Sequence, residues 1–350
     1  MSKILIIPDA HFGVKNDSQV MMNHFDVFYQ KMFKMIDDSK VNKCIILGDV
    51  FDRRKYQNNY TVHFARKMLF DKLLERNIQT YCIIGNHDSY WKNSIEINTP
   101  RLLLSDYSNL TIIDTPQTIT IDGVDVCFIP WICDENEKAC HFEIANTKAP
   151  ICIGHFEIAG FEMFRGQVSD DGLVSNIFSK FDKVISGHYH HKSEKNNIVY
   201  VGTAYQLTWN DYGDEKGVHI LDTISMDLDF FKNDKDIFIK VEFDNGQYSE
   251  LPDDLKDCFV KVVTKNKSDL YKFELFINKL NTMGCFDVKI VDDINIMSES
   301  ELDEEINIDD TLSLLHVYVS KIDEPSIDKD SLNSYLHTLY IEALNLNDSI

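Results

Sequence analysis

The chain has no run of about 18 apolar residues, so no segment reads as spanning a membrane. Among its 8 cysteines there is no Cys-x-x-Cys pair, and Cys44, Cys82, Cys127 and Cys152 lie inside apolar runs. This sets aside a structural zinc site or a disulfide framework and points to reduced, buried cysteine in a cytosolic compartment. No internal repeat or low-complexity tract appears, and 44% hydrophobic with 26% charged residues excludes a wholly disordered chain. Basic residues are scarce: 35 Lys+Arg against 57 Asp+Glu leave a net charge of −22 over 350 residues. Taken whole, that deficit argues against nucleic acid as a partner.

The deficit is uneven. Residues 1–105 hold 15 basic and 11 acidic side chains (+4), residues 106–223 hold 8 and 18 (−10), and residues 224–350 hold 12 and 28 (−16). The break near residue 224 marks a candidate domain boundary, and the length suits one large domain plus a smaller one.

Short apolar runs recur through the first part: Lys3–Ile7, Lys43–Leu47, Thr80–Ile84, Val124–Ile129, Pro150–Ile153, Lys183–Ile185, Ile198–Val201 and Val218–Leu221. Their length and their Ile, Val and Cys content suit buried strands, the first of them too short an apolar run for a signal peptide. Helical spacing predicts helices from Ser18 to about Asp37, with Asp17 or Ser18 as N-cap, and from Thr61 to about Arg76. Strands alternating with helices imply α/β layers. Further on, strands are expected at Ile237–Phe243, Cys258–Thr264 and Phe286–Val291, with a helix at Leu270–Leu280. An acidic linker over 294–310 then precedes two amphipathic stretches, Thr311–Lys321 and Ser331 to about Leu344.

Nearly every early strand ends in metal-competent residues: Asp9-Ala10-His11, Gly48-Asp49-Val50-Phe51-Asp52, Gly85-Asn86-His87-Asp88, Gly154-His155 and Gly187-His188-Tyr189-His190. In open α/β sheets, ligand sites lie beyond the carboxyl ends of the strands, so neighbouring strands would bring these clusters to one place. Carboxylates, imidazoles and an amide without thiolate favour Mn²⁺, Fe²⁺, Zn²⁺ or Mg²⁺. Such a set is too large for one ion and suits two ions sharing a carboxylate, the arrangement that clamps the attacking and leaving oxygens of a phosphoester. Any one of these pieces alone is an ordinary turn or a satisfied polar group. Their joint occurrence, each at a strand end, is not.

The order Asp-x-His, Gly-Asp-x-x-Asp, Gly-Asn-His-Asp, Gly-His, Gly-His-x-His resembles the calcineurin-like metallophosphoesterase superfamily over about residues 1–225. Within it, Gly48–Asp52 and Tyr200-Val201-Gly202-Thr203-Ala204 look like the SbcD-type double-strand-break repair nucleases. Trp131 after Ile129-Pro130 and the residues around Gly154-His155 look most like the phage members that pair with an SMC-like ATPase.

The resemblance implies a four-layer αββα sandwich over 1–225, a small α/β capping and DNA-binding domain over 226–295, and an acidic linker with C-terminal helices over 296–350. It implies two divalent ions, Mn²⁺ foremost and Mg²⁺ as an alternative. Asp9, His11 and His190 would hold the first ion and Asn86, His155 and His188 the second, with Asp49 bridging. His87 would contact the phosphate and assist departure of the leaving oxygen, and Asp88 would orient His87.

The implied activity is that of a DNA nuclease, exonucleolytic on duplex ends and endonucleolytic on single strands, within a recombination and repair complex in the host cytoplasm. A phosphomonoesterase or cyclic-nucleotide phosphodiesterase is the alternative. Lys15, Arg53, Arg54 and Lys55 are expected to meet DNA phosphates without reading sequence, and Arg66, Lys67, Lys72 and Arg76 to extend that surface. A homodimer is expected through helices at about 60–76 and 92–106. The tail stripe Leu332, Tyr335, Leu336, Leu339 and Tyr340 is expected to dock on the ATPase partner.

Overall fold

The computed structural model describes residues 3–39 and 41–292, together with residues 319, 331–333, 335, 336 and 339. Met1–Ser300 form one compact unit and Glu301–Ile350 a second.

Two six-stranded sheets make the body of the first unit. In the first sheet the strand Lys3–Ile7 lies beside Lys43–Ile46, then Gln79–Ile83 and Leu110–Ile113, all parallel. Its other flank carries Gly217–Asp222 and, at the edge, Leu228–Lys232, both antiparallel to their neighbours. The second sheet runs Ser193–Lys195, Ile198–Tyr200, Lys183–Ser186, Ile151–Gly154, Val124–Ile129 and Gln117–Ile121.

Period-two alternation decides the layering. Ile4, Ile6, Ile45, Leu47 and Ile83 of the first sheet meet Val126, Phe128, Ile151, Ile153 and Ile185 of the second in an inner apolar layer. The alternate residues Leu5, Ile7, Cys44, Ile46 and Cys82 face helices instead, packing with Met21, Met22, Phe25, Phe28 and Leu69. On the far side, Cys127, Ile129, Cys152 and Val184 pack with Cys140 and Ile144 of the helix Glu137–Asn146. The result is the four-layer αββα sandwich. Every cysteine is free, and all but the half-buried Cys285 are buried.

The expected helices form with small shifts. Gln19–Ser39 starts behind Ser18, whose hydroxyl accepts the Met21 N–H at 3.4 Å. The second begins at Asn59, capped by Asn58, and passes through a π turn at Arg66–Phe70 before ending at Glu75. The expected helix over 92–106 is shorter: Ser94–Asn98 is a strand paired with Ser89–Trp91, and only Thr99–Leu104 is helical. Pro100 fits the first turn, where its missing N–H costs nothing.

A four-stranded sheet follows: Phe238–Asp244 and Phe259–Asn266 are parallel neighbours, Asp287–Asp292 lies beside the latter, and Gln247–Tyr248 closes the other edge. The helix Leu270–Thr282 covers one face through Phe276 and Leu280, against Val241, Phe243, Val260 and Val262. The opposite face meets the sandwich through Phe238 and Phe259. Gln206 fixes this junction, its Oε1 accepting the backbone N–H groups of Ile237 and Phe238 at 2.8 Å each.

In the second unit, Val319 is helical and buried, and Leu332, Tyr335, Leu336 and Leu339 are helical, with Tyr335 and Leu339 exposed. Tyr340, the expected linker over 294–310, and most of the two amphipathic stretches lie outside the described residues. No helix among the described residues is long and apolar enough to cross a membrane.

Candidate metal centre

The carboxyl ends of five strands meet at the seam between the two large sheets. Lys3–Ile7 delivers Asp9 and His11, Lys43–Ile46 delivers Asp49, and Gln79–Ile83 delivers Asn86 through Asp88. The second sheet contributes His155 after Ile151–Gly154, and His188 and His190 after Lys183–Ser186. Two hydrogen bonds stitch the seam: the His188 N–H donates to Asp9 Oδ2 at 2.9 Å, and His155 Nδ1 donates to the Leu47 carbonyl at 2.9 Å.

The backbone is strained where the side chains converge. His11, Asp49 and His188 all have positive φ (44°, 45° and 81°), a conformation that costs a non-glycine residue of order 1–3 kcal/mol. Gly85 makes the crowding possible, because a Cβ there would collide with the Asp49 carboxylate and backbone. A Gly85→Ala variant is therefore expected to weaken metal binding by about 10–100-fold, the usual cost of disturbing the residues that orient a ligand. Titration calorimetry with Mn²⁺ checks it.

Three overlapping groups of donors result. Those of Asp9, His11 and His190 lie within 4.8 Å of one another, as do those of Asp49, His155 and His188, and those of His11, Asp52 and His87 form the third. Asn86 Oδ1 joins the second group, 2.9 Å from His155 Nε2 and 3.0 Å from His188 Nδ1. Asp49 stands between the first two: its Oδ2 is 3.3 Å from His155 Nε2 and 3.7 Å from His11 Nε2. Asp9 Oδ1, both ring nitrogens of His11 and Nδ1 of His190 are buried without a hydrogen-bond partner. So many buried polar atoms without a partner call for positive charge beside them, and oxygen and nitrogen donors of this kind fit divalent ions.

Protons supply that charge in the metal-free protein. Burial alone would lower His11, yet Asp52, Asp49 and Asp9 outweigh it and hold the imidazole up at about 10. Burial likewise opposes protonation of His155, and Asp49 and Asp9 raise it to about 9. Burial raises Asp9, whereas Asp49, which burial would also raise, is held well below the usual carboxylate value by His155, His87 and His11. Burial pushes His188 well down and His190 to about 3, so both imidazoles are neutral.

His87 lies beside the centre, its ring edge-on to His11 with centroids 4.9 Å apart. Its N–H donates to Asp49 Oδ1 at 2.7 Å, and its Nδ1 donates to the backbone carbonyl of Asp52 at 2.6 Å. The expected role of Asp88 in orienting His87 needs correction. Both Asp88 oxygens are taken by backbone N–H groups, Val50 and Phe51 on one and Gly85 on the other, so this carboxylate pins two loops together. Asp52, part of the Gly48–Asp52 cluster but given no role by the sequence, acts here: its carboxylate stands 3.3 Å from His11 Nδ1 and its carbonyl holds His87. His191 points away, toward Asp214 at 3.0 Å.

The basic residues are less available than expected. Lys15 places its ammonium over the rings of Phe238 and Phe259, at the junction with the small sheet. Arg53 pairs with Asp17 at 2.8 Å and lies over Tyr56, and Arg54 is half-buried with Nε and Nη1 shielded. Lys55 is exposed. On the helical segment behind them, Arg66 pairs with Asp106, Lys72 with Glu75 and Arg76 with Asp37. A second basic feature emerges from strand register: Lys240, Lys261 and Lys289 are direct neighbours across three parallel strands of the small sheet. Lys261 lies 4.5 Å from the Trp209 ring centroid.

The calcineurin-like phosphoesterase family model matches residues 2–192. Exonuclease subunit 1 of Enterobacteria phage T4 is 31% identical over 345 residues, covering 97% of this chain and 99% of that protein. The SbcD subunit of the SbcCD nuclease from Staphylococcus saprophyticus is 22% identical over 305 residues, 78% of each chain. DNA double-strand break repair protein Mre11 of Methanocaldococcus jannaschii is 26% identical over 264 residues, 65% of this chain and 69% of that one.

Proposed function

The chain belongs to the calcineurin-like phosphoesterase family, and from that premise we propose that it is the nuclease subunit of a DNA recombination and repair complex. It would act as an exonuclease on duplex ends and an endonuclease on single strands. The observation that carries this reading is the two-lobed cluster of buried donors around Asp49, in a chain that matches a phage exonuclease subunit nearly end to end.

Asp9, His11 and His190 would hold one divalent ion and Asn86, His155 and His188 the other, with Asp49 between them. Two such ions, Mn²⁺ foremost with Mg²⁺ as the alternative, would neutralise the phosphodiester oxygens and acidify the attacking water. The Asp52 carbonyl accepts Nδ1–H of His87, and burial lowers this imidazole, so Nε2 is bare in the resting site and would protonate the leaving oxygen only after first taking up a proton there. Lys55 and the Lys240–Lys261–Lys289 row would attract the phosphate backbone without reading bases, with Arg53, Arg54 and Lys15 as the further basic residues of this reading.

In this reading the nuclease domain runs past the expected boundary at 225 to include the edge strand Leu228–Lys232, the following residues to 295 cap it, and 296–350 bind an SMC-like ATPase through the stripe from Leu332 to Tyr340. The protein would work as a homodimer in the cytoplasm of a phage-infected host. A substrate panel with Mn²⁺ tests the function: linear duplex and single-stranded DNA should be cleaved. Preference for p-nitrophenyl phosphate or cyclic nucleotides over DNA would instead mark a phosphatase or a cyclic phosphodiesterase. Deleting residues 322–350 is expected to spare cleavage of single strands and to abolish co-purification with the ATPase; a truncated protein that still co-purifies normally would refute the tail assignment.

A further inference from the structure

We propose that the buried ion pair of Lys216 and Asp211 is a positioning pair for His190, which rests on the reading of His190 as a ligand of the first divalent ion. His190 occupies a loop beyond the end of Lys183–Ser186. Lys216 Nζ donates to its backbone carbonyl at 2.7 Å and to Asp211 Oδ1 at 2.7 Å, and lies 3.6 Å from Asp214 Oδ2. Asp211 Oδ1 is also 3.9 Å from His190 Nδ1, a ring nitrogen that is buried without a hydrogen-bond partner. The other Asp211 oxygen accepts the backbone N–H groups of Leu207 and Thr208, at 2.9 Å each.

The backbone of Lys216 is anchored as well, its carbonyl accepting the Asn233 N–H at 2.7 Å. Both charged side chains are shut off from water, Asp211 at 0% and Lys216 at 3% exposure. Asp214, the second acid on this ammonium, reaches on to His191 Nδ1 at 3.0 Å and so grips the next residue of the same loop.

A buried ammonium and carboxylate contribute little net stability, since desolvation offsets most of their attraction. An apolar residue of similar size would fill the space as well. What the charged pair does that an apolar residue cannot is fix the carbonyl and the rear of the ring of one imidazole. A cation beside a site built for divalent cations is also electrostatically costly, and Asp211 with Asp214 offsets that cost locally. The arrangement is that of outer residues that orient a ligand and set its affinity for the ion.

The test is Mn²⁺ binding to the full-length protein, followed by electron paramagnetic resonance and titration calorimetry, for Lys216→Met, Asp211→Asn and His190→Ala, with metal-free melting curves alongside. Lys216→Met and Asp211→Asn should each weaken one of two Mn²⁺ sites by about 10–100-fold and leave the other at its original affinity. DNA cleavage should fall at low Mn²⁺ and recover at high Mn²⁺, with KM for DNA unchanged. If either variant folds and binds both ions with the original affinity, melting lower or not, the positioning role is wrong. Asp211→Asn keeps the shape of the site and provides the reading should Lys216→Met not fold. His190→Ala separates the two levels: if it too keeps both sites intact, the ligand assignment fails, whereas loss of a site in His190→Ala alone overturns only the positioning pair.

Discussion

A His87→Leu variant is expected to cleave DNA about 10²–10⁴-fold more slowly while retaining both divalent ions, the range that a general acid contributes. The ring touches the metal cluster only edge-on, against His11, and its Nδ1 is committed to the Asp52 carbonyl. Removing the ring therefore deletes the proposed proton donor and one member of the His11–Asp52–His87 group, but no member of the two groups proposed to hold the ions. The loss should appear in kcat and not in KM or in bound Mn²⁺. The leaving group gives a sharper check. A sugar alkoxide needs a proton as the P–O bond breaks, whereas p-nitrophenolate does not. On a p-nitrophenyl ester of a nucleotide the variant should recover most of the lost rate. An equal loss on both substrates would mean that His87 binds phosphate and does not protonate the leaving oxygen.

The sandwich and the ligand cluster are legible in the chain because each buried strand carries its site residues at its own end. Strands such as Lys3–Ile7 and Lys43–Ile46 are short apolar runs, and the residues just beyond them, at the sheet edge, are the ones whose side chains can meet. Strands that alternate, such as Gln117–Ile121 with its Thr118 and Thr120 turned outward, form no such run and leave no comparable mark. Roles carried by the backbone are invisible too. Asp52 acts on His87 through its carbonyl, which any residue possesses. Asp88 stands next to His87 in the chain, yet its oxygens are used up by loops 50–51 and 85. Charge read along the chain also misleads about charge presented to a partner. Arg53 and Arg66 look available in sequence and are paired in space, by Asp17 and Asp106. Lys240, Lys261 and Lys289 are scattered in sequence and form a row only through parallel register. The net charge of −22 is thus no argument against DNA. It predicts that binding by this subunit alone is weak and salt-sensitive.

Metal affinity is expected to climb steeply with pH, because the ions must displace protons that now occupy their place. His11 at about 10 and His155 at about 9 both carry a proton at pH 8 in the metal-free protein. Neither imidazole can offer Nε2 to an ion until that proton leaves: His155 Nδ1 donates to the Leu47 carbonyl and His11 Nδ1 faces Asp52. Each displaced proton contributes about a tenfold gain in affinity per pH unit below its pKa, so loading both sites should strengthen by about 100-fold per unit between pH 7 and 9. Calorimetry at pH 8 in two buffers of different ionisation enthalpy should show close to two protons released per chain; release near zero would mean that the histidines are neutral before the metal arrives. Stability follows with a defined sign. Both folded-state pKa values lie above the ordinary 6.5, so the protonated pair stabilises the metal-free fold fully below about pH 6.5, and that contribution is lost as pH rises through 9 and 10. The melting temperature of chelator-treated protein should therefore fall on going from pH 7 to pH 10. Protein saturated with Mn²⁺ should not show this fall, since the ions supply the positive charge at every pH in that window.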